Sequence, residues 1–371
     1  MSRFSFPGRI CLLGLAITLA PLWANASSKS FTGQLNTTTF IASTVPENGD
    51  VNPYGVAVVP RTTGALVRGH ILISNFNNST NAQGTGTTIT DVAPDGAVKL
   101  FAQINAASLP GPCPGGVGLT TALAVLRSGW VIVGSLPTTD GTSATAQAGC
   151  LLVLNKWGKV VETISGWSHG VQINGPWDMT ALDLDDIAEL FVTNVLNGTV
   201  AANGNTVNKG TVVRIVLFIP DNGTPREIAR TVIGSGFGEK TDPAALVIGP
   251  TGVGLSKDGT LYVADTAANR IAAIPNAIFR FSSAGTGKTV SENGTLNGPL
   301  GLAVAPNGNI LTANAGDGNL VETTPWGTQV MVKTIDTSGQ GAGTLFGLAV
   351  ALGGKGVYFV DDGDNTLDFL H

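Results

Sequence analysis

The chain is poor in charge: 12% of its 371 residues are Asp, Glu, Lys or Arg, and its formal net charge is −5. It has no cluster of Lys and Arg that could follow a phosphate backbone, so no nucleic acid partner is expected. Only three histidines occur, and their spacing does not suit a zinc site. Patterns that favour helices are also scarce. The 50 glycines and the many Thr, Asn and Val residues instead favour short strands joined by tight turns.

The first 26 residues have the pattern of a secretory signal peptide. Arg3 and Arg9 give a basic start, an apolar stretch runs from Ile10 to Trp23, and Ala24-Asn25-Ala26 forms a small-x-small cleavage site. The apolar stretch is shorter than the about 20 residues of a membrane-spanning helix, so an uncleaved anchor is the lesser alternative. We therefore expect an exported protein, periplasmic or extracellular, with no membrane span after cleavage.

Only two cysteines follow the predicted cleavage site. An exported compartment favours their pairing, so we expect a disulfide between Cys113 and Cys150. Two free thiols are the alternative.

One sequence unit recurs six times over residues 27–371: a small residue, three mostly apolar residues, a turn, a β-rich run and then Asn or Asp. The copies at Gly249–Asp265 and Gly298–Asn314 match position by position. Four further copies follow the same frame: Asn52–Asn75, Ala122–Ser135, Gly175–Asn194 and Leu345–Asp361. The repetition indicates one large domain built from six equivalent parts.

Each unit adds two more strands around a turn that contains glycine, as at Asp95-Gly96 and Trp157-Gly158. Four strands per unit make a propeller blade. The last unit ends at His371, one strand short, and we expect Thr37–Ser43 to supply that strand and close the ring. The prediction is an all-β, six-bladed β-propeller with four-stranded antiparallel blades.

The fourth unit resembles the NHL repeat. Its segment Pro250–Ile271, with Tyr262-Val263-Ala264-Asp265 and Asn269-Arg270-Ile271, follows that pattern almost throughout, and the looser likeness extends over residues 37–371. The resemblance implies a propeller, with lactonase-like and lyase propellers as more distant relatives. It does not imply a function, because such propellers include binding scaffolds, lyases and lactone hydrolases.

In a propeller of this kind, the first strand of every blade begins on one face of the disc, here called the upper face. The long connections Asn75–Thr87, Asn105–Leu119, Ser135–Gly149, Asn194–Gly210 and Gly234–Ile248 all belong to that face. One elaborated face suggests recognition, with neutral loop variation as the alternative. Tyr54, Trp177 and Phe346 occupy equivalent first-strand positions there, beside Asp178, and are the candidate ligand-binding residues. Alternatively, the three rings plug the channel.

Polar residues recur at the end of the second strand of each blade: Asn75, Ser135, Asn194, Asp265, Asn314 and Asp361. Their oxygens could bind calcium at the channel mouth, but hydrogen bonds to local turns explain them more simply. The resemblance to lactonase-like propellers implies calcium ligands just before the first-strand glycine. Those positions hold Tyr54, Thr121, Trp177, Thr251, Leu300 and Phe346, none of which is a carboxylate or an amide. That metal site is therefore expected to be absent or rebuilt, with Asp178 as the nearest carboxylate.

The sequence favours an exported, non-catalytic recognition module. It would act as a monomer, without a cofactor, and bind a protein or cell-envelope ligand, including a glycan. The alternative is a divalent-metal-dependent hydrolase or lyase of the lactonase-like type, with calcium as the candidate cofactor. In that case His169, in the upper-face segment Trp167–Gly170, is the candidate base.

Overall fold

Short β-branched segments alternate with glycine turns along the chain, and they form six small antiparallel sheets. The structure is a computed structural model that describes residues 29–221, 223–336 and 343–371. The predicted signal peptide lies outside the described residues. No helix within these ranges is long and apolar enough to cross a membrane.

The strands are grouped by blade. Blade one contains β2 Val51–Val58, β3 Ile71–Asn77, β4 Thr88–Val92 and β5 Val98–Gln103. Blade two contains β6 Leu119–Val125, β7 Val131–Ser135, β8 Cys150–Leu154, β9 Val160–Ser168 and β10 Val171–Ile173. Blade three contains β11 Pro176–Asp183, β12 Ile187–Asn194, β13 Val207–Phe218, β14 Arg226–Asp242 and β15 Leu246–Ile248.

The remaining blades have four strands each. Blade four contains β16 Pro250–Leu255, β17 Leu261–Asp265, β18 Arg270–Ile274 and β19 Lys288–Glu292. Blade five contains β20 Pro299–Val304, β21 Ile310–Asn314, β22 Asn319–Thr323 and β23 Gln329–Thr334. Blade six contains β24 Leu345–Val350, β25 Val357–Asp361, β26 Thr366–Leu370 and β1 Thr38–Ser43. Within the described ranges, five short 3-10 helices lie at Thr32–Gln34, Ala106–Ser108, Ser143–Thr145, Thr266–Ala268 and Ala277–Phe279.

The innermost strands of the six sheets, here called the inner strands, contact one another in a closed ring in the order β2, β6, β11, β16, β20 and β24. The N-terminal strand β1 pairs with β26, from Thr38 opposite Leu370 to Ser43 opposite Thr366. This pairing confirms the predicted closure of the ring. The chain is a six-bladed β-propeller.

Blades two and three have five strands rather than the predicted four. The outer strand β14 is 17 residues long, and its end turns back to pair with β15. Likewise β9 extends beyond its blade and turns back into β10. Parts of the segments expected to be upper-face loops therefore continue the sheets.

The inner strands of neighbouring blades approach each other closely at one position, which is glycine in four of the six blades. This position, here called the slot, holds Gly55, Ala122, Asp178, Gly252, Gly301 and Gly347. Beside every slot the pairing with the second strand shifts, as between Pro299 and Leu302 and between Leu345 and Leu348. A Cβ at Gly347 would lie 2.1 Å from the carbonyl oxygen of Tyr54 in the next blade, and one at Gly301 would lie 1.9 Å from that of Phe346. Side chains at these two positions would push neighbouring blades apart.

Cys113 and Cys150 form the predicted disulfide, with their Cα atoms 5.2 Å apart. The bridge joins the connection that leads into blade two to the start of β8. It closes a loop with a sequence separation of 37 residues, for which the chain-entropy model gives about 3–4 kcal/mol of stabilisation.

Gly347→Ala is expected to lower the free energy of unfolding by about 1–3 kcal/mol, because its methyl group would overlap the Tyr54 carbonyl. Denaturant unfolding measures the change. Gly238→Ala is the matched control, since its Cβ would lie 3.3 Å from the Thr206 methyl group and 3.7 Å from Ala267 Cβ and Asn208 Oδ1, all without overlap of backbone atoms. Equal effects of the two substitutions would contradict this account of the slot.

Candidate functional site

Tyr54, Trp177 and Phe346 meet at the upper end of the channel, where they form an aromatic plug. The rings of Tyr54 and Phe346 stack with centroids 3.8 Å apart, and Phe76 stacks on the other side of Tyr54 at 4.4 Å. The indole of Trp177 lies 6.4 Å from both rings and donates a hydrogen bond to the carbonyl oxygen of Val247 at 2.9 Å. None of the three is more than 2% exposed.

This burial corrects the expectation that the three rings offer a ligand-binding surface. The inner strands converge on the axis but carry almost no side-chain volume at the slots, so larger side chains must fill the space above them. Tyr54, Trp177 and Phe346 do so together with Leu246 and Leu300, as one hydrophobic cluster. Of the two sequence interpretations, the channel plug is the one that the structure shows.

The polar residues at the ends of the second strands bind neighbouring groups in their own part of the ring. Asn194 Oδ1, for example, accepts hydrogen bonds from the backbone N–H groups of Asn174 and Gly175, both at 2.9 Å. The other contacts are Asn75 to Thr44 O, Ser135 to Gly118 N, Asp265 to Arg270, Asn314 to Thr295 O and Asp361 to Gly363 N. In the described part of the chain, no group of three His, Cys, Asp or Glu side chains is placed to hold a metal ion.

His169 lies away from the channel, in the turn between β9 and β10 at the outer edge of blades two and three. Its Nδ1 is 2.9 Å from Ser168 Oγ and 3.3 Å from Glu227 Oε1, and half of its side chain is exposed. The sequence placed it on the upper face, just before blade three. The extension of β9 beyond its blade carries it outward instead, so it cannot act together with Asp178.

Asp178 projects into a channel of about 310 Å³ that runs below the plug and is bordered by all six inner strands. Its carboxylate accepts a hydrogen bond from the backbone N–H of Val253 at 3.0 Å. Burial raises the pKa of Asp178 to about 7, although this bond and one from the Met179 backbone lower it. The predicted ligand-binding residues therefore separate, with the rings in the plug and the carboxyl in the channel.

A second cavity, here called the upper pocket, opens above the plug between blades one and six. Its volume is about 500 Å³. Its lining is mostly polar: Asn52, Asn77, Ser79, Asn81, Gln83, Thr344, Asp362 and Asn365, with Val51, Ala244, Gly343 and Gly363. This site was not predicted from the sequence, because Asp362 lies in an acidic turn with no recognisable ligand spacing. The signal that could have revealed it is the pair of carboxylates Asp361-Asp362 at the end of a buried strand.

Asp362 is the carboxylate of the upper pocket, and its side chain makes no hydrogen bond within the described part of the chain. Burial, and after it the neighbouring carboxylates of Asp361 and Asp336, raise its pKa to about 7. Asp361 has the same elevated pKa of about 7, again mainly from burial and then from Asp336. A carboxyl that titrates near neutrality can both take up and release a proton.

Several buried oxygens around the upper pocket have no hydrogen-bonding partner. They are Asn52 Oδ1, Tyr54 Oη, Asn77 Oδ1 and Gln83 Oε1. The amide nitrogens of Asn77 and Gln83 are bound, to Asn81 and to the carbonyl oxygen of Pro243. This fixes the orientation of the two amides and leaves their oxygens as acceptors. Such acceptors suit hydroxyl groups, because an unpaired buried oxygen is costly until a donor reaches it.

The chain matches no protein-family model and no curated protein sequence. Among solved structures it resembles a gluconolactonase from Xanthomonas campestris, with a TM-score of 0.54 and 14% identity over 87% of this chain and 86% of the other. It also resembles a PQQ-bound aldose sugar dehydrogenase from Streptomyces coelicolor, with a TM-score of 0.52 and 14% identity over 90% of this chain and 97% of the other. A third similar structure is the calcium-binding protein regucalcin from Agrobacterium tumefaciens, with a TM-score of 0.50 and 14% identity over 89% of this chain and 93% of the other.

At this identity the likeness shows the fold alone. The fold is nevertheless one whose solved examples include a gluconolactonase and a sugar dehydrogenase, and this finding overturns the expectation of a non-catalytic recognition module. That expectation rested on missing metal and nucleophile motifs. Such motifs need not appear in the sequence when a site is assembled from single residues of separate blades.

The plug predicts unequal effects for two substitutions. Phe346→Ala should lower the free energy of unfolding by about 3–5 kcal/mol, because it leaves a cavity between stacked rings. Tyr54→Phe should change stability by no more than about 1 kcal/mol, since it keeps the stacked ring and removes only a hydroxyl whose polar neighbour is the Asn52 side chain. Denaturant unfolding of both variants tests the account. A loss of stability in Tyr54→Phe comparable to that in Phe346→Ala would contradict it.

Proposed function

We propose that this propeller is a hydrolase of the lactonase-like type that opens a small hydroxylated lactone or ester in the upper pocket. The observation that carries the proposal is the unpaired carboxyl of Asp362, with a pKa of about 7, in a polar cavity of about 500 Å³. The enzymes that share the fold support a catalytic role over a scaffold role.

Asp362 would act as the general base. Its carboxylate removes a proton from a water molecule, the water oxygen bonds to the carbonyl carbon, and the carbon–oxygen bond to the alcohol breaks. The proton then passes from Asp362 to the departing alkoxide, so the carboxylate is regenerated. A base whose pKa lies near the working pH is suited to both transfers.

The amide side chains would orient the substrate. The unpaired oxygens Asn77 Oδ1 and Gln83 Oε1 can accept hydrogen bonds from substrate hydroxyls. Asn365 lines the same pocket, and its Oδ1 is held by the backbone N–H of Asn52 at 2.7 Å. This leaves its amide nitrogen as a donor to the oxygen on which charge develops. Polar groups held in this way favour sugar-derived substrates over apolar esters.

The calcium site implied by the lactonase-like resemblance does not fit the residues present. Its expected ligand positions include Tyr54, Trp177, Leu300 and Phe346, which pack together in the plug. At another, Thr251, the hydroxyl already donates to Leu300 O at 3.0 Å. No step of the proposed reaction is therefore routed through a metal at the channel mouth.

The NHL assignment and the export of the chain remain proposals. The repeat at Pro250–Ile271 supports the NHL assignment. The Cys113–Cys150 disulfide and the N-terminal sequence pattern support export.

Asp362→Asn is expected to lower kcat for a sugar lactone by about 10²–10⁴-fold, because it removes the base. A panel of aldonolactones and short-chain esters, assayed by acid release, measures the rate. Asp364→Asn is the matched control, since Asp364 is exposed and lies two residues away outside the pocket. Unchanged turnover in Asp362→Asn, with Tm preserved in both variants, would refute the proposal.

The pH profile gives an independent readout. The carboxylate form of Asp362 is the active one, so kcat/KM should rise with pH through about 7. Asp361→Asn removes a neighbouring like charge, which lowers the pKa of Asp362 and should move this rise to lower pH. The groups that act on Asp362 are Asp361 and Asp336, and Tyr54 is also close enough to interact. A purely structural role for Asp361 would leave the midpoint unmoved.

A further inference from the structure

Asp178 departs from the rule that governs the slot. The five other slots hold glycine or alanine, and only blade three places a charged side chain there. The six inner strands together contain three titratable side chains, Tyr54, Asp178 and Asp183. Asp183 lies at the far end of β11, where its carboxylate accepts a hydrogen bond from the backbone N–H of Arg127 at 2.6 Å. Among the residues that the structure describes, Asp178 is therefore the single carboxyl that lines the channel.

The carboxyl has no charged partner. Asp178 is only 7% exposed, and its hydrogen bonds come from the backbone N–H groups of Val253 and Met179. No Lys, Arg or His side chain of the described residues forms an ion pair with it. Burying a carboxylate without a cation is costly, so its presence in place of glycine needs a compensating interaction.

The channel is closed above and open below. The aromatic plug seals the upper end, whereas exposure increases toward the lower ends of the inner strands. Val56, Leu123 and Val253 are buried, while Val58 and Val125 are half-buried. A ligand would therefore enter from the lower face and meet Asp178 near the closed end.

The walls combine apolar side chains with free backbone edges. Every inner strand stands at the end of its sheet, so the edge toward the axis has no strand partner. Thr121, which also lines the channel, is 5% exposed, and its hydroxyl has no hydrogen-bonding partner. One anionic group, one unpaired hydroxyl and apolar walls suit a ligand with a donor-rich cationic head and a short apolar tail.

We propose that the channel is a binding site for a small primary ammonium ion, whose head group pairs with Asp178 and Thr121 and whose tail lies along the valine and leucine walls. The site is separate from the upper pocket, because the plug of Tyr54, Trp177 and Phe346 lies between them. The ammonium ion supplies the positive charge that the carboxyl lacks. Its three N–H groups can also reach the Thr121 hydroxyl and a free backbone carbonyl.

Isothermal titration with n-butylammonium chloride at pH 8 tests the proposal. We expect one site per chain, and we expect Asp178→Asn to weaken binding by about 10- to 100-fold, as for loss of a hydrogen bond to a charged group. n-Butanol and tetramethylammonium should not bind, because the first lacks the charge and the second lacks N–H donors. Asp183→Asn, at the lower rim, is the matched control and should bind as the wild type does.

Thr121→Val is the second variant, which keeps the test decisive should Asp178→Asn fold poorly. It preserves side-chain shape and is expected to weaken n-butylammonium binding by several-fold. No binding to the wild type at millimolar n-butylammonium would overturn the proposal. Equal affinity for n-butanol, or equal affinity in both variants, would also overturn it, and would leave Asp178 only as a link between blades three and four through Val253.

The pH dependence separates charge pairing from apolar binding. The other titratable side chains on the inner strands and on the paired strand β12 are Tyr54, Asp183 and Glu189. Asp178 must be ionised to pair with the ammonium ion. Below its pKa of about 7, affinity should therefore fall by about tenfold per pH unit, and binding should release a proton. An affinity that stays constant from pH 5 to 8 would contradict pairing with Asp178.

Discussion

The close approach of the six inner strands at the slot is the constraint on which the rest of the molecule depends. At Gly301 and Gly347 the backbone of one blade lies where the Cβ of its neighbour would be. This contact fixes how tightly the blades converge, and it deprives the axis of side-chain volume. Tyr54, Trp177 and Phe346 then fill the space above the slot, since a dry interior of this kind must be packed.

Charge is scarce in this chain, so the positions of its buried carboxylates are informative. Glu322 is fully buried between two strands of blade five. Although burial raises its pKa, hydrogen bonds from Ser30, Thr32, Asn309 and the Phe31 backbone hold that pKa at about 2. Glu322 thus anchors the segment that precedes the closing strand. Asp178 and Asp362 have no comparable set of donors, and both have a raised pKa. This difference separates a structural carboxylate from two that are available to a ligand.

The sequence predicted the fold well because every blade repeats the same local information. An apolar first strand, a turn, a second apolar strand and a terminal polar residue recur in every blade, and four of the six slots hold glycine. Even the closing strand followed from one missing strand. The disulfide was predictable because only two cysteines follow the predicted cleavage site and the N-terminal pattern favours export. The added strands β10 and β15 were not predictable, because nothing in the local sequence of Val171–Ile173 or Leu246–Ile248 distinguishes an edge strand from a loop.

The candidate site was harder to predict, because side-chain direction depends on packing at the axis. Tyr54 and Asp178 lie one position apart in the repeat, yet the first points into the plug and the second into the channel. The ligand positions that the resemblance implies at the channel mouth include Tyr54, Trp177, Leu300 and Phe346, which pack together in the plug. The polar groups of the upper pocket come instead from Asn52 and Asn77, at strand ends of blade one, and from Asp362, in the turn after β25.

The plug and the upper pocket are two consequences of one substitution pattern. The resemblance to lactonase-like propellers implies metal ligands on the axis, but this chain has the aromatic side chains of the plug there. Because aromatic rings pack against apolar neighbours, the axis of the described structure has no polar metal-binding centre at this level. The loops above the plug cannot enter the channel and instead meet over its edge between blades one and six. There Asn52, Asn77 and Gln83 line the same pocket as the carboxyl of Asp362. Filling the axis therefore moves the polar chemistry of the upper face off the axis, and it leaves the channel below as a separate compartment with its own carboxyl.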